Sequence, residues 1–152
     1  MSTAVPGGLR DARVHLETAF GNFEVDRRDL VRFPAGLPGF ELCRQFVVIA
    51  APEVAPFQCL CSVGGAPGSF LTVDPRLVYP GYAYELTEAD RTRLGATADA
   101  ALLWLAIVTL TGSGEAWANL RAPIVINPDR MVGYQVISPD HDYPVRHALV
   151  EA

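Results

Sequence analysis

The densest group of side chains able to do acid–base or metal chemistry is Asp140-His141-Asp142, with His147 shortly after. Two carboxylates and two imidazoles are a donor set that a divalent metal accepts. Successive residues of an extended segment point in alternate directions, however, so one ion does not easily collect all three neighbours. The stretch reads more simply as a polar turn before Tyr143. Cys43, Cys59 and Cys61 are the other ligand-type residues. A zinc site needs about four ligands in paired spacing, and no histidine stands near these thiols. Cys59 and Cys61 lie two apart, which on a strand puts both on one face, as buried thiols. The chain has no GxSxG, no Walker loop, no GxGxxG after a strand and no HExxH. Gly64-Gly65-Ala66-Pro67-Gly68 is a turn, because neither a lysine nor a helix start follows it. His15 sits on the polar side of an alternating stretch and is expected to be solvated. Nothing here composes a catalytic centre, and no metal or cofactor is implied.

The elements that carry these residues belong to one globular domain. The chain has 152 residues, half of them hydrophobic and 19% charged. That is long enough to bury roughly 68–70% of the unfolded surface. Residues 1–13 (MSTAVPGGLRDAR) lack an apolar period and are expected to form a flexible arm ahead of a domain over 14–150. They lack the apolar core of a signal peptide. No run approaches the roughly 18 apolar residues of a membrane span. An odd thiol count without a secretion signal points to a reducing, cytoplasmic setting. The net charge of −5 argues against direct nucleic-acid binding, which needs clustered Lys or Arg. It suits a basic protein partner instead.

Residues 14–27 alternate, with Val14, Leu16, Thr18 and Phe20 on one face. Gly21-Asn22 signals a tight hairpin turn that would set Phe20 opposite Phe23. Phe46–Ala50 reads as a buried β-branched strand. FQCLCSV from Phe57 and FLTVDP from Phe70 read as further strands. Thr87 to Asp90 resembles a capping box and opens a short helix over Glu88–Leu94, stopped by Gly95. A strand over Leu103–Thr111 and a second hairpin-like pair from NLRAPIVIN and YQVIS complete the pattern. The class is mainly β, a compact antiparallel barrel-like single domain with one or two short helices.

Two features remain. Asn119, Asn127 and Gln135 stand in or beside apolar strands. Structural roles fit Asn119 and Asn127 best, closing backbone groups where strands bend or end; Gln135 is left open. Residues 33–41 (FPAGLPGFE) pack two prolines and two glycines between Phe33 and Phe40. Neither helix nor central strand tolerates that run, and linkers rarely carry Phe33, Leu37 and Phe40. An ordered loop is expected, with Phe33, Leu37 and Phe40 plugging a barrel end and Glu41 pointing outward.

FPAGLPGFE, Pro56-Phe57 followed by Leu60-x-Ser62, FLTVDP, NLRAPIVIN, and Gly133-x-Gln135-x-Ile137 followed by Tyr143 occur in that order. This ordered set, spread over Val14 to Leu149, resembles the flagellar assembly factor FliW family. Its structural positions fall on Phe33, Gly36, Pro38, Gly39, Phe40, Asn119, Pro123 and Asn127. Cys61 departs from an expected glutamine, Ala118 from Thr or Val, and the N-terminal arm is longer. The resemblance implies a non-enzymatic cytoplasmic protein, monomeric when free, that binds newly made flagellin. It also implies binding of the translational regulator CsrA, antagonised allosterically away from its RNA-binding surface. Glu41, Asp74, Glu85, Gln135 and Asp140 are the candidate partner-binding positions. The alternative is a small-molecule-binding barrel or a metal-assisted hydrolase using Asp140, His141 and Asp142, for which a cavity of roughly 300 Å³ or more would speak. A structural subunit of the flagellum is disfavoured, because no helical heptad pattern is present.

Overall fold

The computed structural model describes residues 13–64, 68–137 and 142–149. The expected arm falls almost wholly, and Asp140 and His141 fall entirely, outside the described residues.

The alternating start forms a hairpin of β1 (Arg13–Thr18) and β2 (Gly21–Asp26). Its register pairs Leu16 with Phe23 and Val14 with Val25. Phe20 therefore lies in the turn, 37% exposed, and does not face Phe23. The turn forms at Ala19-Phe20, two residues earlier than Gly21-Asn22 suggests. Thr18 explains the shift: its hydroxyl donates to the Gly21 carbonyl (2.8 Å) and accepts the Phe20 N–H (3.0 Å). Gly21 closes the ladder at φ 124, which only glycine adopts without strain.

Among the described residues nine further strands follow: β3 (Val31–Arg32), β4 (Gln45–Ile49), β5 (Gln58–Ser62), β6 (Ser69–Val73), β7 (Leu103–Leu110), β8 (Ala116–Ala118), β9 (Ile124–Asn127), β10 (Val132–Gln135) and β11 (His147–Ala148). Seven of them close a barrel in the order β7-β6-β5-β4-β3-β10-β9 and back to β7. All its pairings are antiparallel except β3 with β10, which is parallel. Closure depends on the length of β7. Its first part, Leu103–Leu105, pairs with β9, while Val108–Leu110 pairs with β8. β8 and β11 thus form a flap extending the sheet beyond the barrel.

Alternation sorts side chains into three layers. Phe33, Phe46, Leu60, Leu105 and Ile124 are fully buried along the barrel axis, with the Phe33 and Phe46 rings edge-to-face at 4.9 Å. On the outer side of β7, Ala106 and Val108 join Tyr82, Tyr84, Leu94 and Leu120 in a second cluster. On the outer side of β4 and β5, Val47, Cys59 and Cys61 are covered by Leu16 of the hairpin. The paired cysteines are buried on one face, as their spacing implies, and burial pushes both thiols up from their ordinary pKa.

Two short helices connect strands. α1 (Pro75–Val78) starts where Asp74 accepts the Arg76 N–H at 2.9 Å. α2 (Glu88–Leu94) has the capping box at Thr87 and Asp90 and ends at Gly95 with φ 63. Asp90 also holds Arg93 in an ion pair. Among the described residues no helix is long and apolar enough to cross a membrane.

Candidate protein-interaction surface

The segment from Phe33 to Glu41 connects β3 to β4 and is built from three nested turns. Phe33 donates to the Arg44 carbonyl (2.8 Å), Gly36 donates back to Phe33 (2.9 Å), and Leu37 and Phe40 form an isolated antiparallel bridge. Pro38 and Gly39 occupy its tip, with Gly39 at φ 82, the pattern of a type II turn. Gly36, at φ 65, lies so close to the returning chain that a Cβ would sit 2.7 Å from Glu41 Cα and 2.8 Å from the Phe40 carbonyl. Phe33 and Leu37 do plug the barrel, at 0% and 2% exposure. Phe40 does not. The bridge turns it back outward, where it is 38% exposed and rests edge-on against Phe70 at 5.0 Å. Beside it Leu42 is 86% exposed, so the loop presents an apolar patch that the sequence did not flag.

Glu41 faces solvent as expected, but its carboxylate folds back to accept the Gly39 N–H at 3.0 Å. That backbone donor, helped by Glu41's own N–H, lowers its pKa below the usual glutamate value. Asp74 is the cap of α1. Burial pushes its pKa up, but the Arg76 side chain (2.8 Å), backbone N–H and charge together outweigh burial and lower it. Glu85 is exposed on the segment leading to α2. Gln135 is half-buried and donates to the Ala122 carbonyl at 2.9 Å. The candidates are thus spread over the loop, the start of α1, the segment before α2 and β10, and Glu41, Asp74 and Gln135 each also hold a backbone group in place.

The asparagines close backbone as expected. Asn119 accepts the N–H groups of Arg121 and Ala122, both at 3.1 Å, and so shapes the turn into Pro123. Pro123 is buried, and its carbonyl accepts the Val136 N–H at 2.9 Å. Asn127, 2% exposed, donates to the Leu94 carbonyl at the end of α2 (2.8 Å) and accepts the Asp129 N–H. Gly133 is fixed by packing: a Cβ there would meet the Phe33 ring at 2.6 Å.

The members of the possible metal cluster that are described serve other ends. Asp142 is exposed and pairs with Arg121 at 3.2 Å, while Arg121 also donates to the Tyr143 carbonyl at 2.7 Å. His147 stacks edge-on against Tyr79 and its Nε2 lies 3.0 Å from the Val78 carbonyl. Around it Tyr79, Tyr82, Tyr84, Tyr143 and Trp104 form an aromatic layer that carries no sequence signal, since these residues come from three separate segments. Tyr82 donates from it to the Leu120 carbonyl at 2.8 Å; burial, with Tyr84 and Tyr143 nearby, raises its pKa. His15 is exposed, as expected.

Two clefts flank the hairpin, and the second opens onto Val31, Val48, Leu103, Ile126 and Met131 of the axial cluster. One, of ≈ 600 Å³, runs between β1 and the loop and is lined by His15, Glu17, Phe40, Ser62 and Ser69. The other, of ≈ 580 Å³, lies between β2 and the β4 side of the barrel and includes Asp29, Val48, Leu103, Ile126 and Met131. The geometry is that of a filled barrel with apolar and acidic exterior surfaces.

Comparison with known proteins places this architecture. The family model for the FliW protein matches residues 15–149. The flagellar assembly factor FliW of Moorella thermoacetica is 36% identical over 136 residues, covering 88% of this chain and 86% of that protein. The flagellar assembly factor FliW of a Geobacillus species is 35% identical over 130 residues, covering 85% and 90%. A crystal structure of the flagellar assembly factor FliW superposes with a TM-score of 0.82 at 32% identity, covering 91% of this chain and 98% of that one. With the family model matched over residues 15–149 and relatives above 30% identity covering most of both chains, this chain belongs to the FliW family.

Proposed function

We propose that this protein is a cytoplasmic flagellar assembly factor that works by partner switching. It binds flagellin before export, and when flagellin is scarce it binds CsrA and relieves repression of flagellin synthesis. The match to the FliW family over residues 15–149 carries this reading. The acidic balance of −5 supports it, because an acidic surface favours encounter with a basic RNA-binding protein. CsrA is antagonised through a site away from its RNA-binding surface, so no nucleic acid touches this chain. Glu41, Asp74, Glu85 and Asp140 are the contact candidates among the acids, with Gln135 on β10 and with Phe40 and Leu42 supplying apolar area beside Glu41. The small-ligand alternative finds no support in the barrel axis, which Phe33, Phe46, Leu60, Leu105 and Ile124 occupy.

Isothermal titration with the flagellin and the CsrA of the same organism tests the reading. Saturable binding to each is expected. Binding to flagellin alone reduces the role to a chaperone, and binding to neither overturns the proposal.

A further inference from the structure

β4 carries an edge that its neighbours leave uncovered. Its pairing with β5 runs over Phe46–Ile49, but β3 pairs with it only at Arg32 and Val31. Continuing the register would set Asp29 beside Val48, yet Arg27–Asp29 curls into a 3-10 turn that peels the chain away. Strand residues direct their N–H and C=O groups to alternate sides. Val63 donates to the Gln45 carbonyl on the β5 side, and Phe33 donates to the Arg44 carbonyl on the β3 side. By that alternation Phe46, Val48 and Ala50 face the β3 side, where among the described residues no strand pairs with β4 beyond Phe46. Proteins usually blunt such edges with proline, lysine or a bulge. Val47-Val48-Ile49-Ala50 has no proline or lysine, and Pro52 is the first break.

The edge opens into the cleft of ≈ 580 Å³, whose apolar wall includes Val31, Val48, Leu103, Ile126 and Met131. Its charged lining is Glu24, Asp26 and Asp29 against Arg13. Arg28 bonds Asp26 and is also attracted by Asp29 at longer range, so the three acids Glu24, Asp26 and Asp29 outnumber the two arginines, Arg13 and Arg28, and keep the cleft favourable to an incoming cation. An added strand satisfies exposed edge groups and places alternate side chains into pockets.

We propose that this β4 edge is a docking site for an extended segment of a protein partner, one with alternating apolar residues flanked by lysine or arginine. The inference rests on reading the chain as a protein-binding factor and names the chemistry of one segment it takes.

The probe is a short fluorescent peptide of alternating valine and threonine with lysine at both ends, beside a counterpart with glutamate ends. Anisotropy is read on the full-length protein and on Ala50→Pro and Asp29→Lys. Ala50→Pro deletes an edge N–H that serves no strand here. It is expected to weaken the lysine peptide about tenfold, as for loss of one edge hydrogen bond with its register, with an unchanged melting temperature. Asp29→Lys should reverse the preference between the two peptides. Equal binding to wild type and Ala50→Pro overturns the proposal. So does a wild-type dimer in sedimentation that Ala50→Pro dissolves, since a second copy is then the occupant. Flagellin and CsrA are titrated in parallel. If both bind Ala50→Pro as they bind wild type, the edge is not their site and the proposal falls while partner binding stands. If neither binds wild type, the functional reading falls and the peptide arms alone decide the edge.

Discussion

Replacing Gly36 and Gly39 separately by alanine dissects why the loop from Phe33 to Glu41 is glycine-rich. Both residues have positive φ, 65 and 82. Forcing an L-residue into that region costs about 1–2 kcal/mol. At Gly39 nothing lies within 4 Å of a new Cβ, so Gly39→Ala should lose that amount alone. At Gly36 the Cβ would meet Glu41 Cα at 2.7 Å and the Glu41 and Phe40 carbonyls at 2.8 Å. These are backbone atoms held by the Leu37–Phe40 bridge, so they cannot rotate aside. Overpacking of this kind adds about 1–3 kcal/mol, giving about 2–5 kcal/mol in all for Gly36→Ala. For a domain of this size each kcal/mol moves the melting temperature by about 2–4 °C. Urea unfolding with an unchanged slope, supported by thermal melts, reads both variants. Equal losses at the two positions would refute the steric part of the reasoning. A milder loss at Gly36 would refute the loop geometry itself.

Gly133 is constrained by packing and not by a positive φ. Gly133→Ala should cost about 1–3 kcal/mol in urea unfolding, and Phe33→Leu in the same chain should recover part of it; a doubly additive loss contradicts the contact. Asn127→Ala leaves the buried Leu94 carbonyl unsatisfied and should cost about 1–3 kcal/mol by thermal melting; a loss below the error would mean that water replaces the amide freely. Asp26 is held at about 2 by the Arg28 side chain and then its backbone N–H. Its folded pKa is below the unfolded value of about 3.9, so its stabilising contribution is complete above about pH 4 and is lost as pH falls through about 2. The melting-temperature gap between wild type and Asp26→Asn should therefore narrow as pH falls from 5 to 2, and a constant gap contradicts the pairing.

Where local chemistry decides, the sequence was legible. Thr87, Asp90 and Gly95 delimit α2 at the residues expected. The β-branched runs around Val47, Val73 and Ile107 are strands, and the cysteine spacing correctly puts Cys59 and Cys61 on one buried face. The hairpin register departs from the Gly21-Asn22 signal because a side chain overrides it: the Thr18 hydroxyl organises the turn at Ala19-Phe20. The outward turn of Phe40 depends on its bridge with Leu37, and composition alone does not tell which phenylalanine turns out. The parallel pairing of β3 with β10 joins residues a hundred apart and rests on Arg32 and Val132, too brief a contact to leave a pattern. Of the candidate surface, the amides were readable from polar atoms set among apolar neighbours. The capping role of Asp74 was not, because an acid that caps a short helix and one on an open surface look alike in sequence.

Partner switching is tested most directly by measuring both arms of the linkage. Flagellin affinity is titrated with and without saturating CsrA, and CsrA affinity with and without saturating flagellin. If the two partners compete through this protein, each weakens the other by the same factor, as thermodynamic reciprocity requires. Affinities that ignore the other partner, or a ternary complex at full strength, would contradict the switch.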